Sequence, residues 1–397
     1  MSMKIWMYSV ALVALASSAR AQTPNAPPPP GTSCRPPGFF APPARYKSTE
    51  VQADGRVTFR LCAPEATTAM VTSSDYAPAI PMGFGGTPPG LEMTKDTSGL
   101  WSATTSVPIE PGTYRYNFRV NGARVPDPQA MRFSHERVGT NSILEVPGAA
   151  GAFQAYDPKI AHGAVSAIEY WSSTLGAKRR AHVYTPPGYT RNATRYPVLY
   201  LVHGAGDSDD SWTSVGHANY ILDNLIAAGK AKPMIVVMPF GHTPDRPGVD
   251  VLMNRDFGDD LEKDLIPYVE ANYRTLNGTA TRAMAGLSMG GAHTLRFGLT
   301  APERFGYVGV FSMGLMDTTQ LAAYEKQNAA ALTRGGKAFK LVYYAMGKDD
   351  FLYRSVAPTR ALLAKYGIKD VYNESGGGHT WVNWRSYLAD FAPRLFR

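Results

Sequence analysis

Cysteine and charge are both scarce in this sequence: 2 of its 397 residues are cysteine and 18% are charged. Cys34 and Cys62 have no histidine neighbour and no ligand-type spacing, which argues against thiol chemistry or a zinc site built on them. A Cys34–Cys62 bridge and two free thiols remain open alternatives. Long hydrophobic runs are missing beyond the N-terminus, so no transmembrane helix is expected in the body of the chain. Clustered positive charge is missing too. Lys and Arg outnumber Asp and Glu by 40 to 32, a net +8, but apart from Lys178-Arg179-Arg180 they are scattered. Scattered charge lacks the grouped phosphate contacts of a nucleic-acid binder, and no nucleic-acid partner is expected. An apolar content of 44% excludes a disordered chain.

The residues present divide the chain by texture. Lys4, the apolar run Ile5–Ala16 and the small-x-small pattern Ala19-Arg20-Ala21 read as a signal peptide over residues 1–21, which predicts a secreted or periplasmic bacterial protein. The run is too short to span a bilayer, so no membrane attachment is expected after cleavage. Residues 22–45 hold Pro27–Pro30, Pro36-Pro37 and Pro42-Pro43, the composition of an extended linker. From 46 to 147, short period-two runs alternate with Asp54-Gly55, Ser98-Gly99 and Asn121-Gly122 turns, which predicts an immunoglobulin-like β-sandwich. Tyr114, Tyr116, Phe118 and Val120 form an apolar stripe while Arg115, Asn117 and Arg119 face the other way, the pattern of a half-buried antiparallel strand. From 155 to 397, short apolar runs alternate with segments of helical period, which predicts an α/β domain with a parallel sheet.

Chemistry concentrates at Gly286-Leu287-Ser288-Met289-Gly290-Gly291. This G-x-S-x-G run directly follows an apolar strand and directly precedes a helix, the context of a nucleophile elbow. Ser288 is the candidate nucleophile. A serine hydroxyl needs a base oriented by a carboxylate, and in an α/β-hydrolase fold the chain order is serine, acid, histidine. His379, after Gly376-Gly377-Gly378, has the order and setting of the base. Asp317, Asp349, Asp350 and Asp370 lie between the two. Asp317 reads as a helix N-cap and Asp370 as a turn or ion-pair residue opening the last strand. Asp349 and Asp350 follow a strand end, where the acid belongs, and sequence alone does not separate them.

Two amides must face the developing oxyanion. The elbow supplies Met289, and the strand-then-glycine run Val198–Val202, His203-Gly204-Ala205-Gly206 points to Ala205 as the second donor. His203 and His293 read as structural. Trp212, beside Asp209-Asp210-Ser211, and Trp381 are the expected substrate-binding aromatics, with Trp384 a further candidate. The segment His242–Asp256 is a candidate pocket loop, and Gly83-Phe84-Gly85-Gly86 a candidate for the site's mouth.

The stretch from Tyr196 through His203-Gly204, the Ile235–Pro239 strand, Phe257–Arg274, the Ser288 elbow, Gly347–Leu352 and Gly377-Gly378-His379-Thr380-Trp381 resembles carbohydrate esterase family 1, the esterase D and feruloyl esterase group. The resemblance covers most of residues 165–397. It implies an α/β-hydrolase fold, with nucleophile Ser288, acid Asp350 and base His379, and no metal or organic cofactor. Residues 54–146 are similar to the early-set module related to carbohydrate-binding module family 48, which implies a possible glycan contact. The implied activity is hydrolysis of feruloyl or acetyl esters on plant xylan, with an acylated polysaccharide or oligosaccharide as partner. Siderophore esterases and acyltransferases share the family's pattern, and a non-catalytic glycan-binding protein is the reading from another class.

Overall fold

The computed structural model describes residues 34, 46–76, 78–82, 89–244, 254–315 and 318–397. Asp317, Gly83–Gly86 and residues 245–253 of the candidate pocket loop lie outside the described residues.

The chain from residue 164 builds one eight-stranded sheet. Its strands are β1 (Ala164–Ser172), β2 (Ala177–Thr185), β3 (Val198–Val202), β4 (Ile235–Pro239), β5 (Arg282–Leu287), β6 (Tyr307–Phe311), β7 (Leu341–Gly347) and β8 (Asp370–Ser375). They lie in the order β1-β2-β4-β3-β5-β6-β7-β8. β1 and β2 run antiparallel, and every pairing from β4 to β8 is parallel. The central strands are apolar throughout because helices cover both faces. Along β3, Val198, Tyr200 and Val202 enter one core while Leu199 and Leu201 enter the other. β1 escapes a reading by apolar runs because it is an edge strand, mostly exposed along its length. The last helix, Trp381–Phe391, gives way to a short 3-10 turn at Ala392–Arg394, where Pro393 withdraws a backbone donor.

Residues 49–146 form two smaller sheets. One orders Thr49–Val51, Val57–Cys62, Leu100–Thr104 and Thr94–Lys95; the other is centred on the nine-residue strand Gly112–Val120. A shared core that includes Phe59, Trp101, Tyr116 and Phe118 fills the space between them. Cys34 and Cys62 are joined in a disulfide, which ties the start of the described chain to this unit.

The strand Gly112–Val120 differs from the half-buried pattern. Arg115 and Asn117, on its polar face, are 6% and 2% exposed. That face meets the large sheet's loops rather than water: Arg115 pairs with Asp207, and the Thr113 carbonyl accepts from the buried Arg385 on the last helix. Alternation of polar and apolar residues identified the strand correctly but could not show that its polar side is an internal boundary.

Candidate active site

β5 runs into the helix Met289–His293 through a turn so tight that Ser288 takes φ +51° and ψ −116°. That is a costly backbone for a non-glycine residue, and its neighbours hold it there. A Cβ at Gly286 would sit 2.4 Å from the Gly290 carbonyl, and one at Gly290 would sit 2.3 Å from the Val202 oxygen. Only glycine lets the helix start this close to β3 and β5. The Ser288 amide donates to the Phe311 carbonyl at 3.0 Å, which anchors the turn to β6.

Asp350 stands just past the end of β7 and His379 just past β8. The Asp350 carboxylate is buried and takes the Leu352 amide at 2.9 Å on Oδ1. His379 Nδ1 lies 2.9 Å from Oδ2 and 3.1 Å from Oδ1. Since a carboxylate only accepts, Nδ1 carries the proton and Nε2 is left free to receive one. Asp349 is exposed and reaches this loop only through its backbone amide, which donates to Gly377. The loop before His379 is closed by Asn383, whose amide donates to the Gly376 carbonyl at 2.9 Å. Trp384 stands edge-on to the imidazole, 5.1 Å between centroids, and donates its indole N–H to Ser312.

Ser288, His379, Thr380, Trp384 and Gly204–Asp207 line one cleft of about 250 Å³. Ser74, Asp75, Arg115 and Glu136, all from the smaller sheets, complete its wall. A larger cavity of about 540 Å³, lined by Arg132, Glu145, His217 and Tyr220 among others, lies elsewhere; its Thr113 hydroxyl is 3.3 Å from His217 Nε2, but burial lowers the His217 pKa to about 3, which leaves that ring a poor base. Volume is therefore a poor guide to the chemistry here. Among the described residues no group of three or more His, Cys, Asp or Glu is placed to hold a metal ion.

Within the glycine loop after β3, the Gly204 amide is taken by Asp207 Oδ2 at 3.1 Å. The Ala205 amide has no hydrogen-bond acceptor among the described residues. His203 is internal: its Nδ1 donates to the Gly204 carbonyl, its Nε2 accepts the Gly241 amide at 2.9 Å, and burial lowers its pKa. His293 is also buried, stacked on Phe257 and bonded to the Gly241 carbonyl. Neither ring touches the cleft. Asp370 pairs with Arg360 at 2.7 Å.

Trp212 and Trp381 are corrected by the structure. Both are 0% exposed, packed edge to face at 5.0 Å in the core beneath the cleft, so neither can stack on a substrate. The polar run beside Trp212 suggested a wet loop, but Asp209 and Asp210 are themselves buried. Burial opposes the Asp209 charge, yet His182 and Arg180 outweigh it and hold its pKa down at about 2. Trp384 is the tryptophan that reaches the cleft. The sequence reading missed Arg115, Asp75 and Glu136 because nothing local connects a strand of the smaller sheets to the Ser288 turn.

Residues 172–395, more than half of the chain, match the Esterase family model. The chain is 33% identical over 359 residues to an endo-1,4-beta-xylanase/feruloyl esterase of Xylanibacter ruminicola, an alignment covering 87% of this chain and 46% of that protein. It thus spans less than half the length of that relative. Among solved structures, a mutant of the feruloyl esterase module from Clostridium thermocellum, complexed with sinapinate, matches at a TM-score of 0.54 and 21% identity, over 68% of this chain and 95% of that one. Enterochelin esterase from Shigella flexneri matches at a TM-score of 0.60 and 17% identity, over 88% and 95%. These two likenesses are likenesses of fold.

Proposed function

The chain belongs to the Esterase family, and from this premise we propose that it is a carboxylic ester hydrolase that deacylates plant polysaccharide through an acyl-enzyme on Ser288. The observation that carries the reading is the shared cleft: a serine on a strained turn lines it together with a histidine whose Nδ1 is bonded to a buried carboxylate. His379 Nε2 takes the Ser288 proton as Oγ attacks the ester carbonyl, and the amides of Ala205 and Met289 face the oxyanion. The imidazolium then protonates the leaving alcohol. Water, deprotonated by the same nitrogen, releases the acid, while Asp350 keeps the ring in its productive tautomer.

Feruloyl esters are the first choice of substrate and acetyl esters the second. The 33% identity to a xylanase/feruloyl esterase supports this, as does the leader read over residues 1–21, which suits a secreted or periplasmic enzyme acting on a polymer. In this reading residues 155–397 are the α/β-hydrolase domain and residues 46–147 an immunoglobulin-like, early-set domain. Siderophore ester hydrolysis is the second reading, favoured by the fold likeness to enterochelin esterase over 88% of this chain.

A fluorophosphonate probe tests the nucleophile: it should label the native protein once, at Ser288, and leave Ser288→Ala unlabelled and inactive. Labelling of the alanine variant would end the proposal. Turnover on methyl ferulate, acetylated xylan and a catecholate triester separates the substrates. Ferulate release should be fastest, and a preference for the catecholate ester would transfer the assignment to the second reading.

A further inference from the structure

We infer that Arg115, carried by the smaller sheets, is a positioning residue for the loop that holds the oxyanion amide. The inference rests on the role proposed for Ala205 and goes beyond it, because it makes the N-terminal unit part of the catalytic apparatus.

Three buried charges make the connection. Arg115 Nη1 donates to Asp207 Oδ1 at 2.7 Å, while its Nε and Nη2 donate to Asp75, Nη2 at 2.7 Å. Asp75 also accepts the Arg115 backbone amide at 2.7 Å, which fixes the guanidinium relative to its own strand. The three residues Arg115, Asp75 and Asp207 are 6%, 1% and 4% exposed. Burial disfavours the guanidinium charge, but the two carboxylates outweigh it and raise the Arg115 pKa above its ordinary range. Asp207 is the hinge of the arrangement. One of its oxygens faces Arg115, and the other accepts the Gly204 amide at 3.1 Å while its own amide donates back to the Gly204 carbonyl. The Gly204–Asp207 turn is thereby closed from inside, with Ala205 at its tip.

A second grip comes from the same unit. Glu136 pairs with Asp207 as an antiparallel bridge, the Arg137 amide donates to the Gly206 carbonyl at 3.3 Å, and the His135 amide donates to Asp210 at 3.0 Å. A glycine loop is intrinsically free to move, and an oxyanion amide displaced by an ångström loses much of its effect. Arg115 supplies the fixed reference that the loop's own residues lack.

The test compares Arg115→Lys, which keeps the charge and loses the fork, and Asp207→Asn with Ser214→Ala. The last removes a hydroxyl bond to Ser134 at the same boundary, away from the loop. In full-length protein, both loop-directed variants should lose about 10- to 100-fold in kcat on a soluble aryl ester, with KM within about twofold. Binding of phenylboronic acid, which forms a tetrahedral serine adduct, should weaken by a similar factor. Ser214→Ala should match the native enzyme in both. If Asp207→Asn fails to fold, Arg115→Lys carries the test. Native kcat in a folded Arg115→Lys, or an equal loss in Ser214→Ala, would overturn the inference. Failure of the underlying reading looks different, since Ser288→Ala would then remain active.

Discussion

His379 Nδ1 donates a hydrogen bond to the carboxylate of Asp350, a residue 4% exposed, while the adjacent Asp349 lies at the surface. Two neighbouring aspartates at one strand end thus have different environments, and only one can orient the imidazole. Asp350→Asn keeps the size of the side chain but can present an N–H to Nδ1 and so favour the wrong tautomer. The expected loss in kcat is about 10³- to 10⁴-fold, with circular dichroism unchanged. Asp349→Asn should stay within about twofold of native. If the two variants exchange these effects, the acid has been misassigned.

The Ser288 turn leaves no room for a methyl group at its two flanking glycines. Gly290→Ala would force a Cβ to within 2.3 Å of the Val202 carbonyl, and Gly286→Ala to within 2.4 Å of the Gly290 carbonyl. Both contacts are with backbone, which cannot swing aside as a flexible side chain does. Each variant should lose nearly all turnover and melt earlier than the native enzyme. A crystal structure of active Gly290→Ala with the turn unmoved would contradict this account.

Stability should fall on mild acidification, before the carboxylates titrate. Burial lowers the pKa of His217 to about 3 and of His242 to about 4, whereas an unfolded histidine titrates near about 6.5. Below that value the unfolded chain takes up protons that the folded rings refuse, so the stabilisation is complete above about pH 6.5 and is lost as pH falls towards 4. Urea midpoints at pH 7.5, 6.0 and 5.0 should decrease in that order. His217→Asn should flatten the slope, because asparagine tolerates the φ of +48° there and can still donate to Gln154. Midpoints independent of pH over this interval would count against neutral, buried rings.

Cys34–Cys62 closes a loop with a sequence separation of 28, and such a loop restricts the unfolded chain by roughly 3–4 kcal/mol. Since both cysteines lie away from the cleft-lining residues, reduction should lower Tm by several degrees and leave kcat at 25 °C nearly unchanged. Equal Tm values with and without reductant would mean that the bridge contributes nothing to folding.

Much of the esterase part could be read in advance because its signals are local. A glycine-serine-glycine turn between an apolar strand and a helix is written within about ten consecutive residues, and so are β3, with its glycine loop, and the glycine run before His379. The tryptophans were misread for the opposite reason. Whether Trp212 and Trp381 face water depends on what the last helix packs against, and the flanking aspartates misled because their own partners, Arg180, His182 and His135, come from distant strands.

From the order of residues alone came the two textures of the chain, the strand-turn-helix around Ser288 and the serine, acid, histidine succession, since periodicity and turn chemistry act over a few residues. The choice between Asp349 and Asp350 rested on likeness to a family until the fold set one inside and the other outside. Only the folded chain decided that the polar face of Gly112–Val120 would be buried against the glycine loop, with Arg115 held between Asp75 and Asp207. Those partners are 40 and 92 residues away in the chain, and a contact across such distances is determined by packing that no short window of sequence contains.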